Sequence, residues 1–297
     1  MKPKAWLTKR LGRLLKLVRK KVKTMTINKF LSKLSGRAAL RGVIAIVIFI
    51  AIWEFGSRSL DLIGWRMPFV GLIPPPSDVL ASWTGLFMEP SYWQSWYMSF
   101  LRVFTGFIVA MIVGIPLGLY MAINRTFYGI AFPSFEILRP IPPLAWVPAS
   151  IIFWPTQEMS IAFVTFLGAF YTIVINVLGG ASSINRQYLQ AAQSMGASQR
   201  DIFRRIVLPA TLPSIVVGSA VGMGITWEVV VAAEMISGGG AGGGASGGLG
   251  FFIWSSYVGG SYEQIIVGMI SIGIAGYISS ELLRKLGGRF TPWLKTR

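Results

Sequence analysis

The chain contains no cysteine and no histidine in its 297 residues. Disulfides, thiolate and imidazole metal ligands, and every Ser-His or Cys-His nucleophile pairing are therefore excluded. Charge is also scarce: only 13% of residues are Asp, Glu, Lys or Arg, about half the share found in soluble domains. No lysine occurs between Arg41 and Lys285. Lys285 and Lys295 follow Arg284 and Leu294, so neither completes a G-x4-G-K-[ST] phosphate loop. The sequence assigns this chain no catalytic residue, no metal and no cofactor of its own.

What is abundant is apolar length: 53% of the residues are hydrophobic. A helix needs about 20 apolar residues to cross a bilayer at 1.5 Å per residue. Runs of that kind lie near 40–57, 99–123, 159–178, 212–236 and 263–283. A sixth, near 128–155, is interrupted by Pro133, Pro140, Pro142, Pro143 and Pro148. Such breaks survive at membrane depth where other helices or a cavity satisfy the freed backbone groups. The expectation is an all-α membrane protein of six spans.

The formal charge of +17 raises nucleic acid as a partner, but that reading needs the basic residues on a folded, solvated face. They follow topology instead. Fourteen of the 28 Lys and Arg fall in residues 1–41, and 24 fall on one side when six spans are threaded. The 58–98 loop on the other side holds only Arg58 and Arg66. By the positive-inside rule both termini are expected in the cytoplasm.

The first 36 residues read as a basic arm. Leu7, Leu11, Leu14, Leu15, Val18 and Val22 recur at helical spacing among Lys9, Arg10, Arg13, Lys16, Arg19, Lys20, Lys21 and Lys23. This is either an anchor on an anionic leaflet or a solvated tail that enforces topology. The membrane-spanning domain is expected over 37–290, with a short tail at 291–297.

Within the spans, Gly106, Gly114 and Gly118, and Gly218 and Gly222, have the small-residue spacing that lets helix backbones approach in lipid. Intramembrane charge is more informative, since each such residue costs roughly 2.5 to 3.5 kcal/mol to insert at mid-bilayer. Glu228 and Glu234 are six residues apart, so they point about 240° apart on a helix and cannot both line one path. Arg102, Arg139, Trp146 and Glu234 are the candidate pathway residues, Arg139 and Trp146 because irregular backbone at membrane depth often lines cavities. Structural pairing of Arg102 or Arg139 with Glu136, Glu228 or Glu234 is the competing reading.

The segment 186–209 is the most specific. Helix formers end at Gly196, suited to the positive φ of a helix C-terminus. Ser198 followed by Asp201 forms a capping-box-like start for a second helix, and Pro209 marks entry to the next span. Gln190-Ala191-Ala192, three residues, Gly196, nine residues, then Ile206-Val207-Leu208-Pro209 resembles the coupling loop of binding-protein-dependent ABC importers, E-A-A-x3-G-x9-I-x-L-P, with Gln190 in place of the glutamate.

Ile73-Pro74-Pro75-Pro76-Ser77, the proline-rich 138–148 stretch, Ala232-Ala233-Glu234-Met235-Ile236 and Gly248-Leu249-Gly250 extend the resemblance to permeases of the nitrate, taurine/sulfonate and bicarbonate type. It covers about residues 40–290. It implies a methionine-permease-like (MetI-like) bundle whose coupling residues are Gln190, Ala191, Ala192, Gly196, Ile206, Leu208 and Pro209. It also implies a bacterial inner-membrane location, a second permease copy, ATPase subunits that bind ATP and Mg, a periplasmic binding protein, and import of a small anion. An ATP-independent channel or carrier and a non-transporting anchor are the alternatives. The glycine-rich run 238–248 reads as a linker or as an outer surface that meets the anion or its binding protein.

Overall fold

The computed structural model describes residues 27–237 and 247–292. The amphipathic pattern at 7–22, most of the glycine-rich run and residues 293–297 lie outside the described residues. The described part is helical and divides into two compact units, split after Pro76.

In the first unit α1 (Ile27–Ser57) runs without a break through the expected boundary at position 36. A one-turn helix α2 (Ser59–Ile63) and a 3-10 turn (Val70–Leu72) follow, where a loop was expected. The turn folds back on the end of α1: Ser57 Oγ donates to the Val70 carbonyl at 3.3 Å, and a Cβ on Gly56 would sit 2.6 Å from a Val70 methyl.

The second unit contains α3 (Pro76–Leu86), α4 (Pro90–Ile123), α5 (Arg125–Leu138), a 3-10 turn (Pro143–Trp146) and α6 (Val147–Phe153). It continues through α7 (Gln157–Ser182), α8 (Arg186–Ser194), α9 (Gln199–Ile202), a π-helical turn (Phe203–Val207) and α10 (Leu208–Ser237). After residues 238–246 come α11 (Leu249–Val258) and α12 (Tyr262–Phe290).

Five helices of the described residues are long and apolar enough to cross a membrane: the 40–57 part of α1, α4, α7, α10 with its preceding turns, and α12. The proline-rich sixth stretch is not one helix. It is α5, a break at Arg139–Pro142, and the 3-10 turn leading into α6. Neither piece alone spans the roughly 30 Å of hydrocarbon. Proline accounts for the break, because it removes a helical donor and biases the residue before it away from helix.

α7 is the most buried span. It packs between α4 and α10, and α10 in turn packs on α12 and α11. Glycines set both contacts with α7. Gly106, Gly114 and Gly118 lie on one face of α4 against Thr165, Ile173 and Val174 of α7, and a Cβ on Gly118 would come 2.9 Å from the Val174 carbonyl oxygen. Gly218 and Gly222 of α10 meet Asn176 and Ala169 from the other side. With no water to drive association inside a bilayer, such close backbone approach is what dispersion between helices requires.

Gly118→Leu should therefore overpack the α4–α7 contact and lower stability by roughly 1–3 kcal/mol. Thermal unfolding of the detergent-solubilised protein measures this. Gly129→Leu on α5, where a Cβ meets nothing within 4 Å, should leave the midpoint nearly unchanged.

Candidate functional site: a helix–turn–helix loop and a buried ionic clasp

α7 ends at Ser182 and α10 begins at Leu208, so the intervening loop caps one end of the bundle. Its helices start and stop on local chemistry. Asn185 caps α8 by accepting from the Gln187 N–H at 2.9 Å. Gly196, at φ +82°, lets the chain reverse, and the Ala197 N–H closes the turn on the Ala192 carbonyl at 3.0 Å. Ser198 then caps α9 through the Asp201 N–H at 3.2 Å. The π-turn at 203–207 widens the helix directly before Pro209, whose ring would clash with the Arg205 carbonyl in a regular α-helix.

This turn has an inside and an outside. Ala192, Ile202 and Val207 are buried, and Leu189, Phe203, Ile206 and Leu208 pack against the same core. On the opposite face of α8, Tyr188, Ala191 and Met195 are exposed at i, i+3 and i+7, Met195 to 81%. Gln190, Arg186, Arg200, Arg204 and Arg205 are exposed around them. The loop is therefore a rigid projection with an apolar outer face and a basic rim.

At the other end of the bundle, some 36 Å along α7 by helix rise, lies a cluster of buried charge. Arg102 of α4 and Glu234 near the end of α10 are 3% and 1% exposed. Arg102 Nη1 donates to Glu234 at 2.9 Å and to the Gly247 carbonyl at 2.7 Å, while Nε and Nη2 grip both oxygens of Glu158 at 2.9 and 2.6 Å. Glu158 stands in the first turn of α7 with its side chain half exposed. Ser99 Oγ donates to Glu234 and accepts from the Leu249 N–H at 2.8 Å, and the Gly250 N–H donates to Glu234 at 2.9 Å.

Four helix ends or faces meet in this clasp. Glu234 sits at the N-terminus of α11, where a carboxylate is favoured, and Arg102 holds Glu158 in the bidentate geometry a guanidinium allows while giving Glu234 a single bond. Gly248 and Gly250 are required by the approach: a Cβ on either would collide with the Glu234 carboxyl or with α10 backbone. Thus Ala232-Ala233-Glu234 and Gly248-Leu249-Gly250, separate in sequence, are two halves of one contact.

Of the four candidate pathway residues, the structure brings Arg102 and Glu234 together and neither of the others to them. Arg139 pairs with Glu136 at 2.7 Å, both about 40% exposed, at the end of α5. Trp146 is half-buried against Phe163, its indole N–H without a partner among the described residues. The sequence does not single out Glu158. It lies at the start of a span, where nothing in one sequence marks an acid as a partner for Arg102.

A family model for the binding-protein-dependent transport system inner membrane component matches residues 114–294. The chain belongs to that family. This permease is 40% identical over 198 residues, 67% of its length and 72% of the relative's, to a putative ABC transporter permease of Methanocaldococcus jannaschii. It is 33% identical to the taurine transport system permease TauC of Escherichia coli, covering 74% and 80% of the two chains. It is 30% identical to the nitrate import permease NrtB of Leptolyngbya laminosa, covering 89% and 92%. Its fold is that of a chain in the inward-facing MetNI methionine ABC transporter, with a TM-score of 0.53, 22% identity, and 70% and 95% of the two chains covered. It is the membrane permease subunit of an ABC importer and not itself an enzyme.

Two outcomes are expected. Gly196→Ala should strain the positive-φ turn by about 1–2 kcal/mol and speed amide exchange across 186–203 while exchange in α7 stays slow. Arg102→Gln should cost about 3–5 kcal/mol by leaving Glu234 buried and unpaired. Adding Glu234→Gln should recover most of that loss, as read from unfolding midpoints in detergent.

Proposed function

We propose that this permease couples ATP hydrolysis in separate subunits to import of a small anion of the nitrate, taurine/alkanesulfonate or bicarbonate class. The observation that carries the reading is the helix–turn–helix at 186–209, whose outward Tyr188, Ala191 and Met195 present an apolar face with a basic rim. A loop that only joined two spans has no reason to expose such a face at the end of a buried, capped helix. The ATPase docks there, with Gln190, Ala191, Ala192, Gly196, Ile206, Leu208 and Pro209 forming and supporting the contact. ATP and Mg belong to that partner.

The loop end then faces the cytoplasm with both termini, as the distribution of Lys and Arg favours, in a bacterial inner membrane. A second permease copy completes the cavity, and a periplasmic binding protein delivers solute at the clasp end. Because α7 and α10 run from loop to clasp, a tilt imposed on the loop is transmitted as rigid-body movement to the far end. The cavity opens alternately to each side. Relatives named for nitrate and taurine support the anion class.

The test is copurification of the permease with ATPase subunits under mild extraction, with ATP hydrolysis measured on the complex. Wild type should retain the ATPase, and Gly196→Asp should release it or reduce solute-stimulated hydrolysis at least tenfold. Equal retention and equal hydrolysis in both would contradict the coupling assignment.

A further inference from the structure

The loop that follows α1 is built inside out. It closes through small and backbone groups: Ser57 Oγ donates to the Val70 carbonyl at 3.3 Å, the Met67 N–H donates to Ser59 Oγ at 2.9 Å, and a Val70 methyl covers Gly56. Ser59 is fully buried by this closure. The large apolar side chains of Leu62, Ile63, Trp65, Phe69 and Leu72 are all exposed instead, Phe69 to 83% and Leu72 to 70%. A compact loop that faces water packs such side chains within itself.

Phe69 is held out at a backbone cost. At φ +65° and ψ −63° it is the apex of a three-residue turn that closes when the Val70 N–H donates to the Pro68 carbonyl at 2.8 Å. This is the rare, strained form of the γ-turn, and Phe69 is the one non-glycine residue with positive φ among the described residues. Strain of this kind persists where the surrounding structure fixes it and clusters at working sites. Here it projects an aromatic ring.

What covers these side chains follows from what the loop is attached to. The 40–57 stretch of α1 is long and apolar enough to cross a bilayer, and almost none of it is buried within the protein, so lipid is the surface it meets. Its 18 residues rise about 27 Å, nearly the thickness of the hydrocarbon, which puts Ser57 at the membrane surface. Because Val70 folds back onto Gly56 and Ser57, the loop stays at that depth and its apolar face continues the lipid face of α1. Trp65 then lies at the interface, where an indole ring is favoured. Asp61 and Arg66 are exposed as well, which keeps the loop at headgroup level and away from the hydrocarbon centre. We propose that residues 60–72 form an interfacial foot, seated in the leaflet at the C-terminal end of α1 with Phe69 and Leu72 inserted among the acyl chains. The foot fixes the depth of α1 and depends on neither the solute nor the ATPase.

The absence of cysteine lets Phe69→Cys and Leu72→Cys each carry a single nitroxide label. The full chain, with the subunits it retains on mild extraction, is reconstituted in vesicles of phosphatidylethanolamine and phosphatidylglycerol. Collision of the label with oxygen, which concentrates in hydrocarbon, is compared with its collision with a water-soluble nickel chelate. Ile46→Cys, at an exposed position in the span of α1, is the hydrocarbon standard, and free label in buffer is the aqueous one. At both foot positions the oxygen-to-nickel ratio should exceed that of the free label by about fivefold or more. A ratio close to that of the free label at either position overturns the proposal and leaves the face to a soluble partner. Loss of both kinds of collision overturns it too, because protein from a second copy or another subunit would then cover the foot.

Discussion

In a bilayer the spans of this permease gain nothing by hiding apolar side chains from one another, because lipid is equally apolar. What remains is close backbone contact and the need to satisfy each buried polar group. α7 answers the first need through glycines contributed by α4 on one side and α10 on the other. The clasp answers the second: Arg102 is buried only because Glu158, Glu234 and the Gly247 carbonyl take up its donors. Remove either and the helices lose the register that positions everything else.

That register gives the molecule two differentiated ends. At one, α7 and α10 are joined by a stiff capped turn with an apolar outer face. At the other, the same two helices are tied through Glu158 and Glu234 to α4 and α11. A pull on the turn cannot dissipate in a flexible linker, since the caps at Asn185 and Ser198 and the core contacts of Ala192, Ile202 and Val207 hold it to the spans. The bundle thereby joins the turn to the clasp as one stiff unit.

Much of this was legible in the sequence where the signal was local. The spans, the glycine faces and the start and stop of the 186–209 turn follow from hydropathy, spacing and capping, and residues such as Gly196 and Ser198 do in the structure what their chemistry demands. The six-residue spacing of Glu228 and Glu234 likewise turns them to different sides of α10: Glu234 is buried in the clasp and Glu228 is exposed. What was not legible is pairing across distance. Nothing near Glu158 announces a partnership with Arg102 fifty-six residues away. The 58–98 stretch reads as loop because α2 and α3 are short, and short helices owe their stability to packing more than to pattern; its last residues, from Pro90, are the start of the long α4. The proline-rich stretch likewise reads as one broken span because sequence gives the breakers but not the separate axes on either side.

The measurement that bears most directly on the account is site-specific crosslinking from the turn. Met195→Cys puts a lone thiol on the exposed face of an otherwise cysteine-free chain, and Gly129→Cys puts one on α5 as a comparison. With a short thiol-reactive photocrosslinker, Met195→Cys should capture an ATPase subunit in native membranes, with a yield that changes when ATP is added, while Gly129→Cys captures none. Capture of no ATPase from Met195→Cys, or equal capture from both positions, would contradict the claim that this turn receives the work of ATP hydrolysis.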